Sequence, residues 1–70
     1  MFRRCTVIKD FENLNGFYAK KGATGNVVGV NKNLITVLFD EQSLDLIKSN
    51  YSTMDMLEIP NDHLYIERFN

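Results

Sequence analysis

The chain has one cysteine, one proline, one histidine and no tryptophan among its 70 residues. A single cysteine, Cys5, rules out an intramolecular disulfide and any zinc site built on several thiolates. Its apolar neighbours Val7 and Ile8 mark it as an inert buried thiol. One histidine removes the ligand pair that two histidines a helical turn apart would form. Cationic excess is missing too: eight Lys and Arg against nine Asp and Glu give a formal net charge of −1. Non-specific nucleic-acid affinity comes mainly from neutralising phosphates, so a generic DNA or RNA binder is disfavoured. Long apolar runs are also lacking. No stretch approaches the ~20 apolar residues of a membrane helix. The short run after Arg3 and Arg4 is too brief for a signal-peptide core and has no small-residue cleavage site behind it. The expectation is a soluble, cytoplasmic protein that engages no membrane.

What is present is ordinary globular material, with 44% hydrophobic and 24% charged residues. Residues 1–70 read as one domain, without repeats, linkers or low-complexity tracts. A chain of about 60 residues buries only roughly 60% of the surface exposed when it is unfolded. A core of that size supports about 3–5 kcal/mol of net stability. There is little room for a large catalytic cleft.

Phe2 to Lys9 mixes β-branched, aromatic and charged residues as a half-buried strand does, with Cys5 and Val7 on one face. Asp10 to Lys21 loses this periodicity and carries Asn15-Gly16. It reads as a long ordered loop, with Phe11, Leu14 and Phe17 folding back as a lid on the core. Thr24 to Val30 is the second strand, and Gly29 marks a bulge or a close backbone approach within it. Asn31-Lys32-Asn33 supplies a tight turn, because asparagine tolerates the left-handed region. Leu34 to Phe39 follows as a strand with Ile35, Val37 and Phe39 on one face.

Asp40 to Tyr51 is ambiguous. Leu44, Ile47 and Tyr51 have helical spacing behind an Asp40 N-cap, whereas Leu44 and Leu46 alternate as a strand would. Thr53 to Ile59 alternates with Leu57 and Ile59 inward, and Pro60 ends it by removing a ladder donor. Asn61-Asp62-His63 makes a 3₁₀ turn, and Leu64 to Phe69 is the last strand. Five strands in so short a chain predict an all-β, five-stranded barrel with room for one short helix between strands 3 and 4.

Lys21-Gly22-Ala23-Thr24-Gly25-Asn26-Val27-Val28, followed by Leu34-Ile35-Thr36-Val37, resembles the KOW-type motif of small SH3-like barrels. Gly25 matches its characteristic glycine, and Val27 and Val37 its core positions. Ile59-Pro60-Asn61-Asp62-His63-Leu64 resembles the closing turn of such barrels. The resemblance implies an SH3-like barrel and an RNA- or DNA-binding role.

Two surfaces emerge as candidates. Lys20 and Lys21, joined by Lys32 at the hairpin tip, lie in sequence near Phe17 and Tyr18. Aromatics interleaved with lysines stack on bases while the ammonium groups meet phosphate. The plain alternative is a solubilising loop with Phe17 tucked into the core. The second surface comprises Met54 and Met56, which face outward if Leu57 and Ile59 face inward, extended by Tyr51 and Tyr65. Exposed methionine and tyrosine are common at protein interfaces. The alternative there is that the Asp40–Tyr51 excursion covers the methionines.

Asp55, Glu58, Asp62 and His63 lack the spacing of a metal or acid–base site, and Ser43, Ser49 and Ser52 have no basic partner placed to activate them. The expected function is therefore a non-catalytic binding module without cofactor or metal. A protein partner leads, a second copy paired through an edge strand among the options, and nucleic acid is the alternative. Plentiful asparagine and lysine suggest a small regulatory protein encoded by a phage.

Overall fold

The computed structural model describes residues 3–49 and 55–67. Its elements are β1 (Arg3–Val7), β2 (Phe11–Glu12), β3 (Tyr18–Ala19), β4 (Thr24–Asn31), β5 (Leu34–Phe39), the 3₁₀ segment η1 (Glu41–Leu46), β6 (Ile47–Lys48), β7 (Met56–Pro60), the 3₁₀ turn η2 (Asn61–His63) and β8 (Leu64–Ile66). The fold is all-β and SH3-like. A curled, antiparallel five-stranded sheet in the order β7-β5-β4-β1-β8 makes a half-barrel, and a three-stranded sheet β2-β3-β6 accompanies it.

The curl follows from connectivity. β7 and β8 are opposite edges of the large sheet, yet only the three residues of η2 join them. Four strand spacings in a flat sheet would separate those edges by about 19 Å. A three-residue 3₁₀ turn advances only about 6 Å. The sheet must therefore curl until the Pro60 end of β7 and the Leu64 end of β8 come close. Two backbone bonds fix the turn that does this, Asn61 N–H to the Asn33 carbonyl at 2.8 Å and Ile8 N–H to the His63 carbonyl at 2.8 Å.

β4 is the shared strand, pairing with β1 over Thr24–Val27 and with β5 from Gly25 to Asn31. The register slips between Val27 and Gly29, leaving Val28 as the extra residue of a bulge, beside the glycine that signalled it. Inward residues alternate as the pleat demands. Cys5, Val7, Ile35, Val37, Phe39, Leu57, Ile59 and Leu64 are all buried in one cluster. Ala19 and Ile47 of the small sheet enter the same cluster, so both sheets share one core. Gly25 is the tightest point. A Cβ there would fall within 3.0 Å of backbone atoms of Leu38 and Phe39, so β5 crosses closely only because residue 25 has no side chain.

Two expectations are corrected, the lid loop of Asp10–Lys21 and the left-handed asparagines of the tight turn, and the open reading of Asp40–Tyr51 is resolved over its described residues. Asp10–Lys21 is not a plain loop but contains the β2–β3 hairpin. Phe11 and Phe17 pack against the core as expected, whereas Leu14 is fully exposed at 106%. The Asn13 side-chain carbonyl accepts the N–H groups of Asn15 and Phe17, which turns the loop outward, and Gly16 closes it at φ 82°. Within Asp40–Tyr51, Glu41–Leu46 is a 3₁₀ segment followed by β6. With three residues per turn, Ser43 and Leu46 share its inner side and Leu44 is left exposed. In the β4–β5 hairpin the left-handed residue is Lys32, at φ 57°, and neither asparagine.

Two stability predictions arise. Gly25→Ala forces backbone apart and is expected to cost about 1–3 kcal/mol in urea unfolding. Lys32→Gly relieves a positive φ at some cost in unfolded-chain entropy. Its expected gain is about 0.5–1 kcal/mol, read in the same experiment.

Candidate functional site

The small sheet organises the first candidate surface. Pairing of Phe11 with Ala19 and of Ala19 with Ile47 makes its inner row, which faces the core. Glu12, Tyr18 and Lys48 pair as the outer row. Lys20 returns to the outer side by strand alternation, and its Nζ stands 5.6 Å from the centre of the Tyr18 ring. Of the expected residues, Tyr18 and Lys20 are thus brought together. Phe17 is half-buried against the core. Lys21 is exposed, and its backbone N–H donates to Asp10 Oδ1 at 2.7 Å. Lys32 does not join them. It follows the last residue of β4 while Lys20 and Lys21 precede the first, and eight strand residues span on the order of 20 Å.

Sequence reasoning missed Asp10, Glu12 and Lys48 as members of this surface. A signal for the hairpin was available, since Asn15-Gly16 stands between Phe11-Glu12 and Tyr18-Ala19. No comparable signal announced β6, whose two residues pair with β3 across the 27 residues between the two strands. A groove of about 400 Å³ runs beside the hairpin, lined by Asp10, Phe11, Glu12, Gly16, Tyr18 and Lys20.

The second surface is divided. Tyr51 and Met54 lie outside the described residues. Met56 is half-buried on β7 and pairs with Leu38 of β5. Tyr65 is 60% exposed on β8, at the opposite edge, with β5, β4 and β1 between them in the sheet. Among the described residues, Met56 lies on a strand that ends the large sheet, with no further strand paired beyond it. The bonds Phe39 N–H to Asp55 carbonyl and Asn61 N–H to Asn33 carbonyl fix the bonded register of β5 and β7. In that register Asp55, Leu57 and Ile59 turn their backbone groups toward β5, and Met56, Glu58 and Pro60 turn theirs away. Pro60, lacking an N–H, sits where none is needed.

The carboxylates and histidine weighed for chemistry are not assembled. His63 lies 3.9 Å from Asp62 through Nε2, and its ring meets Phe11 edge-on at 5.6 Å. Its Nδ1 is buried without a hydrogen-bond partner. Glu58 stands apart on β7. Burial pushes the Cys5 thiol up to about 11, so almost none of it is thiolate at neutral pH.

The strongest polar constellation lies elsewhere. Arg4 grips Asp40 with two hydrogen bonds of 2.7 and 2.5 Å and donates a third, of 3.1 Å, to Asn26. The Thr24 hydroxyl donates to the same carboxylate at 2.7 Å. Ser43, buried in η1, accepts the Thr24 N–H at 2.9 Å. Asp40 therefore spends its side chain on the sheet and does not cap η1. Chiefly through the bonds from Arg4, helped by Thr24 and by the guanidinium charge, the Asp40 carboxyl falls to about 2 despite its burial. The same bonds raise the Arg4 pKa. The constellation ties β1, β4, β5 and η1 together, and its partners leave the guanidinium committed.

A carboxyl held lower in the folded than in the unfolded chain stabilises above its unfolded value, and that contribution fades as pH falls toward about 2. Arg4 is 41% exposed, so solvent screens part of it. Asp40→Asn is expected to lose about 1–2 kcal/mol at neutral pH, with the gap from wild type closing between about pH 4 and 2. Urea unfolding at a series of pH values measures this. A gap independent of pH would remove the ion pair as its source.

In comparisons with known proteins, no family model, no curated protein and no solved structure matches this chain.

Proposed function

We propose that the protein is a non-catalytic module that binds a protein partner, with the outer edge of β7 as its docking surface. The observation that carries this reading is the set of outward backbone groups at Met56 and Glu58, on the last strand of the sheet. A partner segment in extended conformation would pair with them and add a strand. Met56 and Leu38 give the edge an apolar flank, and Tyr51 and Met54 precede it in the chain. Tyr65, on the other edge, is a separate contact. A second copy of the chain is one form such a partner takes, because open edges pair with their own kind.

The resemblance to KOW-type motifs supports a nucleic-acid module at Phe17, Tyr18, Lys20 and Lys21. Lys48 beside Tyr18 favours it, but Asp10 and Glu12 on the same surface repel phosphate. The protein reading is the stronger.

Glu58→Pro tests it. The Glu58 N–H points away from β5, so proline removes an edge donor and leaves the ladder to β5 in place. The variant is expected to stay folded and to lose the partner that wild type captures from its source cells. If the partner is a second copy, sedimentation should show mass rising with concentration for wild type alone. A partner held equally by both proteins would overturn the edge. Micromolar binding of an RNA oligomer at low salt, lost in Lys20→Ala/Lys21→Ala, would move the function to nucleic acid.

A further inference from the structure

We infer that the groove along the β2–β3 hairpin receives a lysine or arginine side chain from a protein partner. Its lining combines the outward Tyr18 ring with two carboxylates, Asp10 and Glu12, while Phe11, whose ring packs on the core, lines it from the inner side. At about 400 Å³ it holds one long side chain with room to spare. Such a side chain lays its methylene stem along apolar surface and keeps its charge beside acidic oxygens. The Lys21 N–H engages one oxygen of Asp10 at 2.7 Å and thereby fixes the carboxylate, leaving the other oxygen for a ligand. Glu12 has no hydrogen-bond or ion-pair partner among the described residues.

The structure also shows what the aromatic wall accepts. The Lys20 ammonium already stands over the Tyr18 ring at 5.6 Å, within the range of a cation–π contact. Lys20 is itself part of the groove, so it occupies the position that an incoming cation would take. An ammonium or guanidinium from outside must displace it. This assigns Lys20 the role of an internal competitor, the reverse of its role in a phosphate-binding surface. The loop that closes the hairpin is held by the bonds to the Asn13 side chain and by the positive φ of Gly16.

The inference builds on the protein-binding reading but concerns a surface other than β7, so the two are tested by separate variants. The probe is a fluorescein-labelled hexa-arginine peptide, with neutral and acidic peptides of equal length as controls, titrated at low salt by anisotropy. Binding by the arginine peptide alone is expected, with amide shifts at residues 10–20 in NMR. Asp10→Asn and Glu12→Gln keep the shape and the Asp10 acceptor while removing charge. Each should weaken binding about three- to tenfold. Tyr18→Leu should weaken it as well. Lys20→Met should tighten it about two- to fivefold, because the competitor is gone. Thermal midpoints confirm that each variant is folded, and Glu58→Pro should bind like wild type. Absence of binding, equal binding by all variants, or weaker binding by Lys20→Met would each overturn the proposal. So would an RNA oligomer that binds at these residues and is released by Lys20→Met.

Discussion

The architecture depends on a length constraint. Three residues of η2 must join strands that stand at opposite edges of a five-stranded sheet. A 3₁₀ turn cannot bridge a flat sheet, so rolling is the only way to keep the strand order, and rolling creates the interior. Ile59, the residue before Pro60, and Leu64, the residue after the turn, are both buried beside the turn that joins the two edge strands. The fixed φ of Pro60 suits the bend. Gly25 meets a second demand, since β5 folds over it so closely that a Cβ would strike the backbone of Leu38 and Phe39.

A half-barrel leaves an open side, and the small sheet supplies inner residues for it through Ala19 and Ile47. The polar constellation does a complementary job outside. Arg4, Asp40, Thr24 and Ser43 tie the end of β5 and the start of η1 to β1 and β4. That anchor sits at the start of η1, the segment that leads into β6, whose Ile47 and Lys48 pair with β3. A backbone bond from Lys20 N–H to the Leu46 carbonyl joins the two elements directly.

Function in so small a protein has to reside on edges and shallow surfaces. The β7 edge offers backbone groups, whose recognition is indifferent to side-chain identity. The hairpin groove offers side-chain chemistry, with the Tyr18 ring, two carboxylates and Lys20 in its lining. In the binding mode we propose, a partner strand laid on the edge would give affinity, and a basic side chain in the groove would give selectivity. Charges of both signs surround Tyr18, with Asp10 and Glu12 beside Lys20 and Lys48.

The large-sheet strands were legible in the chain because each is short, alternating and bounded by turn residues. Ile35, Val37 and Phe39 are buried as their alternation required, and Gly29 marks the bulge it suggested. Those features are local, and period-two patterning with turn chemistry determines them. The exposure of Leu14 was not legible, because a leucine between asparagines looks apolar whichever way Asn13 turns the loop. Nor was the 3₁₀ periodicity that buries Ser43 in preference to Leu44, since three and 3.6 residues per turn diverge little over one turn. Tyr18 and Lys20 were legible as neighbours, and Asn15-Gly16 marks the hairpin that adds Asp10 and Glu12. Lys48 reaches this surface only by tertiary structure, because β6 pairs with β3 from far along the chain and nothing in its sequence position reveals that alignment. Local chemistry chose the strands and the hairpin; long-range strand pairing decided which distant side chains became neighbours.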